Sequence, residues 1–395
     1  MNGLSLASTT WDTEEIEAIQ AVIATGDYSM GNYVAQFERE FADFFGSKFA
    51  VMFNSGSSAN LGMLAALRYR NPQIVTPGSE IIVPAVSWST TFFPVHQLGF
   101  RLKFVDIELD SLNINVEKVV DAINPNTSGI LAVNLLGNPA NLIALKKISD
   151  ENDLILLEDN CESMGAKINE SYSGTFGLAG TFSTFFSHHI STMEGGLAIS
   201  DDANLYETMK SIRAHGWTRD LPKENSVYAK TGSSWEDLFR FVLPGYNLRP
   251  LEFEAAIGLV QLRKLPSFIE NRRKNAEFFK ETMRDVQGFS LQYENSHSSW
   301  FGFSLVMQDF MLGKRQLVLD ALEKVGVQTR PIVAGNFTKN PVIKHLNHAP
   351  LEAYPIADLV HNEGFFIGNH HFDIRNSLEL VCSVLSDISK EVRCA

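Results

Sequence analysis

Cysteine is scarce: the 395 residues contain three, Cys161, Cys382 and Cys394. The count is odd, the spacing is wide and there is no CxxC pair, which excludes a disulfide framework and points to a reducing compartment. Three scattered thiols also fall short of the four ligands that an ordinary iron–sulfur cluster takes. Long apolar runs are missing too, since no stretch reaches the roughly eighteen residues that a membrane-spanning helix needs. The opening MNGLSLASTTWDTEE has acids where a secretion signal would have basic and apolar regions, so the expectation is a cytoplasmic protein. Positive charge is in deficit: 33 Lys and Arg stand against 46 Asp and Glu, a net charge of −13. That balance argues against coating nucleic acid or an anionic membrane, and leaves room for a local basic pocket holding a phosphorylated ligand. Internal repeats, low-complexity tracts and runs of like charge are absent as well.

What is present is a soluble globular composition, 45% hydrophobic and 20% charged, in a chain long enough for two domains or one large domain with a smaller partner. Helix-spaced apolar residues run over Trp11–Ile23 and Val34–Phe45. Short apolar runs at Phe49–Phe53, Glu80–Pro84, Arg101–Val105, Gly129–Asn134, Leu154–Leu157 and Leu197–Ser200 read as strands. Helical patterns at Ala59–Tyr69 and Ser87–Leu98, and a helix opened by Asn138-Pro139-Ala140, alternate with them, which predicts a largely parallel sheet. An amphipathic helix spans Leu251–Lys264. From Pro266 the pattern changes to a helix (Asn271–Met283), a strand (Phe301–Met307) and a helix (Lys314–Val325). A large domain over 1–264 and a small α+β domain over 265–395 follow.

Three stretches carry candidate chemistry. Asn54-Ser55-Gly56-Ser57-Ser58 follows a strand and opens a helix, so free backbone N–H groups and the positive end of the helix dipole converge on one point suited to a phosphate. The same residues also read as a plain N-cap. Leu154–Leu157 ends in Glu158-Asp159-Asn160-Cys161-Glu162, and carboxylates at the C-terminal end of a buried strand are where α/β sheets build ligand sites. Gly180 to Gly196, GTFSTFFSHHISTMEGG, reads as strand, loop and strand. His188 and His189 are adjacent in an extended segment and point to opposite sides, and no HxxxH or HExxH spacing supports a metal site. Taken alone they read as loop residues. A long polar loop from Trp217 to Glu236 is functional or mobile by its length.

The order of these features resembles the DegT/DnrJ/EryC1/StrS family of sugar enzymes that use pyridoxal 5′-phosphate (PLP). The resemblance runs over nearly the whole chain and rests on a phosphate turn, an aromatic at Trp88, Asp159, Ser183, a basic residue six positions before Glu194-Gly195-Gly196, and Asn247 in FVLPGYNLR. It implies the aspartate-aminotransferase fold (PLP fold type I), a large mostly parallel α/β/α domain with a smaller C-terminal α+β domain. It implies that Gly56, Ser57 and Ser183 hold the cofactor phosphate, that Trp88 stacks on the ring, and that Asp159 pairs with the ring nitrogen. Glu162 stands where the aminotransferases commonly have Gln. RAHGWTR matches the family's loop near the sugar, which makes His215 and Arg219 candidates for substrate or for the carboxylate of an amino donor. Asn247 would reach across to a neighbour's cofactor phosphate, which implies a homodimer with shared sites.

One departure from the family decides the chemistry. The basic residue that tethers the cofactor is a lysine in the aminotransferases, and here it is His188. An imidazole cannot hold an aldehyde as lysine does, but it moves protons near neutral pH. The family's lysine-less branch consists of 3-dehydratases acting on nucleotide-linked 4-keto-6-deoxy sugars. The resemblance therefore implies the pyridoxamine form (PMP) as working cofactor, a GDP-linked 4-keto-6-deoxymannose as substrate, L-glutamate as amino donor, and no bound cluster or metal. An aminotransferase proper, which would lack its lysine, and a non-catalytic homologue are the remaining alternatives.

Overall fold

The computed structural model describes residues 3–70 and 75–394. Met1, Asn2 and Ala395, at the outer ends of the two expected domains, lie outside them. The large sheet has seven strands: β1 (Phe49–Phe53), β2 (Glu80–Pro84), β3 (Arg101–Val105), β4 (Thr127–Val133), β5 (Ile155–Asp159), β8 (Ala179–Ser183) and β9 (Gly196–Ser200), with the hairpin β6 (Lys167–Ile168) and β7 (Ser171–Tyr172) between the fifth and sixth of these. Its order is β1-β9-β8-β5-β4-β2-β3. The pairings among β3, β2, β4, β5 and β8 are parallel, and β9 runs against both β8 and β1. The expected alternation is thus realised with one reversed strand. Strands β2, β8 and β9 are buried at every residue, as expected where helices cover both faces of a sheet.

Burial explains how the helices dock. The helix Asn32–Phe45 buries Val34, Phe37, Phe41 and Phe45 along one stripe, and each ring removed from water contributes about 1.5–3 kcal/mol. Its start has no side-chain cap of its own. The carboxylate of Glu252, far along the chain, instead accepts from the N–H groups of Gly31 (2.8 Å), Tyr33 (2.9 Å) and Val34 (2.9 Å), placing negative charge at the positive end of the helix.

The second sheet is antiparallel, in the order β10 (Phe289–Leu291), β11 (Gly302–Met307), β13 (Gly364–Gly368), β12 (Thr329–Arg330). Two expectations change here. The helices read separately at Leu251–Lys264 and Asn271–Met283 are one helix, Glu252–Met283, with Pro266 inside it, so the division after Lys264 falls within a continuous element. Proline removes one backbone bond of the helix. Apolar packing on both sides offsets that loss: Leu259, Leu262, Leu265 and Phe268 lie against the large sheet's core, and Ala276, Phe279 and Met283 lie in the core of the small sheet. The N-terminal arm, expected with the large domain, packs on the small sheet. Leu4 is buried in that core, its carbonyl accepts from Gln328 N–H at 2.8 Å, and Ser8 Oγ meets His370 Nδ1 at 2.9 Å.

Candidate active site

Strands β1, β2, β5 and β8 end, and β9 begins, at one edge of the sheet, the carboxyl edge where open α/β folds bind ligands. Past β1 the chain turns through Asn54 and Ser55 into the helix Gly56–Arg70. Ser55 caps it: its Oγ accepts from Ser58 N–H at 3.0 Å and its carbonyl from Ala59 N–H at 3.0 Å. The amides of Gly56 and Ser57 are left at the open end of the helix. Ser57 Oγ donates to Thr90 Oγ1 at 2.9 Å, which ties this turn to the helix Ser89–Gln97. A Cβ on Gly56 would stand 2.6 Å from Ser183 Cβ and 3.0 Å from Cys161 Sγ, and one on Gly196 would stand 2.4 Å from Gly56 N. Both positions take glycine because the helix start sits directly against the ends of β8 and β9. Ser183 and Gly56 are therefore neighbours, as the phosphate reading requires.

Asp159 ends β5 and is buried. Its carboxylate accepts from Cys161 N–H at 3.2 Å, from Asn60 Nδ2 at 2.9 Å and from Thr91 Oγ1 at 2.7 Å. The preceding Glu158 points to the other side of the strand, where the amides of Gly174, Phe176 and Gly177 and the side chain of Asn134 surround it at 2.6–3.2 Å. Burial raises its pKa and these donors oppose the rise. Glu158 thus anchors the turn before β8, and Asp159 faces the helix start.

His188 lies on the loop that joins β8 to β9. The loop is closed on itself by Thr184 N–H to Gly195 O (3.0 Å), Phe186 N–H to Met193 O (3.1 Å) and the paired hydroxyls of Thr184 and Thr192 (2.6 Å). The two histidines diverge as expected. His188 Nδ1 is 2.8 Å from the carbonyl of Cys161, while buried His189 turns its Nε2 to the carbonyl of Ser299 at 3.1 Å. A carbonyl only accepts, so His188 Nδ1 carries the proton and Nε2 carries the lone pair. Burial pulls the His188 pKa down to about 4, with Arg272 adding to the fall and the Cys161 carbonyl and Asp159 charge opposing it. The ring is held edge-on by Phe301 at 5.2 Å and Phe185 at 6.0 Å. At neutral pH this is a neutral imidazole of fixed tautomer, ready to accept a proton.

Glu162 Oε2 accepts from Leu136 N–H at 3.2 Å, and burial pushes its pKa up to about 7, with the Asp159 charge adding to the rise. Leu136 itself sits at φ 52° and its carbonyl accepts from Phe301 N–H at 3.2 Å, so the segment beside Glu162 also positions the ring that packs on His188. Cys161 supplies its carbonyl, and its thiol is pushed well above the usual range by burial, which fits a packed neighbour better than a nucleophile.

The remaining candidates form a second group. His215 (φ 61°) donates its N–H to Tyr246 O at 2.6 Å, and Ala214 and Asn247 form a bridge, so His215 and Asn247 lie together. The Arg219 guanidinium lies 3.9 Å above the Trp217 ring, whose edge meets His215 at 5.2 Å. Asn247 is exposed and its Oδ1 accepts from Arg249 Nε at 3.0 Å. Trp88 caps the helix Ser89–Gln97 and is 57% exposed. Sequence reasoning passed over Asn60, Thr91, Phe301 and Arg272. The last is a buried guanidinium whose Nη1 donates to the carbonyls of Phe301 (3.0 Å) and Asn369 (2.8 Å), and burial lowers its pKa to about 10. Among the described residues no three His, Cys, Asp or Glu side chains cluster as a metal ion would need.

A mostly parallel seven-stranded sheet, an anion-ready helix start beside a strand-end carboxylate, and a small antiparallel C-terminal sheet define an enzyme of the aspartate-aminotransferase type. The chain belongs to the DegT/DnrJ/EryC1/StrS aminotransferase family, whose pattern matches residues 9–385. It is 50% identical over 383 residues to the GDP-4-keto-6-deoxy-D-mannose 3-dehydratase of Escherichia coli O55:H7, covering 96% of this chain and 98% of that protein. A crystal structure of GDP-4-keto-6-deoxymannose-3-dehydratase with a trapped PLP-glutamate geminal diamine matches with a TM-score of 0.95 at 48% identity, over 97% of this chain and 100% of that one. A histidine-to-asparagine variant of that enzyme with bound GDP-perosamine matches equally well, with TM-score 0.95, 48% identity and the same coverage.

Proposed function

We propose that the protein is a PMP-dependent 3-dehydratase that removes the C3 hydroxyl of GDP-4-keto-6-deoxy-D-mannose, with L-glutamate as the source of the amine, in the synthesis of dideoxysugars for lipopolysaccharide O-antigen. The observation that carries this reading is His188. It stands where the family's aminotransferases have their tethering lysine, and it is held as a neutral base of fixed tautomer. The residues present fit the cofactor: the amides of Gly56 and Ser57 with Ser183 suit its phosphate, and Asp159 suits its ring nitrogen. Trp88 would cover the ring face, and Glu162, half-protonated near pH 7, would meet its polar edge.

When bound, the cofactor supplies an amine that joins the sugar's C4 ketone and a ring that takes up electron density. His188 Nε2 would be the base that accepts a proton from the cofactor's C4′ carbon. Once protonated, the same nitrogen gives a proton to the departing C3 hydroxyl, and general acid–base help of this kind is worth about 10² to 10⁴ in rate. Asp159 would keep the ring nitrogen protonated, and Phe301 and Phe185 hold the imidazole edge-on. The overall reaction balances as keto sugar plus glutamate giving 3-deoxy keto sugar, ammonia and 2-oxoglutarate.

His215 and Arg219 would contact the sugar or the glutamate carboxylate. Asn247, exposed on its bridge, would complete the phosphate site of a second copy, making the active unit a homodimer. Exposed Phe185, Phe186 and Met193 on the His188 loop supply apolar surface for that contact. The helix Glu252–Met283 would join a large cofactor-binding lobe to a small C-terminal lobe. Among the described residues no helix is long and apolar enough to cross a membrane, and a cytoplasmic location suits a nucleotide-sugar substrate.

The test is a product balance. Incubation with PMP, glutamate and GDP-4-keto-6-deoxymannose should release ammonia and 2-oxoglutarate in equal amounts, with the sugar losing its C3 oxygen and gaining no nitrogen. A stable 4-amino sugar as the main product would make the protein an aminotransferase instead.

A further inference from the structure

The Asp159 carboxylate is buried without any cation paired to it among the described residues, and its surroundings are arranged in an unusual way. Three elements meet there: β5, the first turns of the helix Gly56–Arg70, and the helix Ser89–Gln97. Asn60 and Thr91, each 1% exposed, both direct their hydrogens to the same oxygen, Oδ2, at 2.9 and 2.7 Å. Both donors are themselves held in orientation. Thr181 Oγ1 donates to Asn60 Oδ1 at 2.6 Å, which fixes the amide so that its NH₂ faces Asp159. Thr91 has one hydroxyl hydrogen and gives it to Asp159, so its contact with Ser87 Oγ at 2.8 Å must be a bond in which Ser87 donates. Ser87 and Thr181 are buried as well.

A carboxylate offers about four acceptor directions. Oδ2 spends both of its own on Asn60 and Thr91, and Oδ1 spends one on Cys161 N–H at 3.2 Å. The acceptor capacity left for a donor from outside the chain is on Oδ1.

We propose that Asn60 and Thr91 are positioning residues for the cofactor: they immobilise Asp159 as an acceptor and reserve Oδ1 for the protonated ring nitrogen. The proposal rests on the reading that Asp159 pairs with that nitrogen. It assigns function to two buried polar residues whose spacing within helical segments looks like neutral filling.

The test compares two cofactors on the purified full-length protein: PLP, and 1-deaza-PLP, in which carbon replaces the ring nitrogen. Dissociation constants from equilibrium dialysis or fluorescence are the readout, so no turnover is needed. Thr91→Val and Asn60→Leu should each weaken PLP binding about tenfold or more, the loss expected when a hydrogen bond to a charged group is removed. Neither should change binding of the deaza analogue, and Thr91→Ser, which keeps the hydroxyl, should restore PLP affinity. Equal losses for both cofactors would mean that the residues only support the fold, and no loss with either would mean that they do not act on the ring; each result overturns the proposal. Asp159→Asn is the control for the underlying reading. If it too fails to discriminate between the two cofactors, the pairing of Asp159 with the ring nitrogen is wrong. If it discriminates and the other two variants do not, only the positioning role falls.

Discussion

Replacing Glu162 by Gln keeps the side chain's shape and its acceptor for Leu136 N–H, and removes its charge. In the folded protein this carboxyl is pushed from 4.5 to about 7, first by burial and then by the nearby Asp159 charge. Below pH 4.5 both folded and unfolded chains hold the proton, and the group has no effect on stability. Between 4.5 and 7 the unfolded chain releases the proton while the folded one keeps it, so stability falls as pH rises. Above 7 both are ionised and the full cost persists. At about 1.36 kcal/mol per pKa unit, a rise from 4.5 to about 7 is a cost of order 3 kcal/mol, an upper figure for a half-buried group. Glu162→Gln should therefore stabilise the cofactor-free protein at pH 8 by some fraction of that amount and leave it nearly unchanged at pH 4.5. Denaturant unfolding at fixed protein concentration, in half-unit steps from pH 4.5 to 8.5, measures the difference. A gain that is the same at every pH would show that Glu162 does not titrate in this window, and would refute the electrostatic argument. Asp159→Asn removes one of the two causes of the shift, and in that background the pH-dependent gain should shrink.

Two further outcomes follow from the geometry. Gly56→Ala forces a methyl to within 2.6 Å of Ser183 Cβ, so the helix start and the end of β8 must part; PLP affinity should fall by about tenfold or more while circular dichroism stays unchanged. Retained affinity would place the phosphate elsewhere. His188→Asn cannot accept the proton, and turnover should drop by about 10² to 10⁴ with PMP and GDP-sugar binding retained; an ammonia assay beside isothermal titration separates the two, and near-normal turnover would remove His188 from the mechanism.

Much of this site was legible because its residues follow strand ends. Asp159, Ser183 and the Gly56-Ser57 turn each end or follow an apolar run, and a parallel sheet brings such points to one edge whatever the rest of the fold does. Asn60 and Thr91 escaped notice because they sit inside helical segments, where a buried polar residue leaves no periodic trace. Phe301, just ahead of β11, packs on His188 from more than a hundred positions away in the chain, and local patterning carries no sign of such a contact. The break read at Pro266 failed for a related reason. Local propensity disfavours proline within a helix, but here the packing of both halves against two separate cores outweighs the lost bond.

Leu4 lies in the core of the small sheet beside residues between Ala276 and Ile388. Made before every other residue of that core, it has no place to go until the residues up to Ile388 have been made. The large sheet can assemble as it emerges, since its last strand ends at Ser200. The small core closes only when Leu4 meets the residues that run from Ala276 to Ile388. A C-terminal fragment beginning at Leu265 would lack this plug, and an N-terminal fusion that draws the arm away would slow the last step of folding without touching a catalytic residue. Vectorial synthesis thus makes the segment around Leu4 one of the last parts of this fold to find its place.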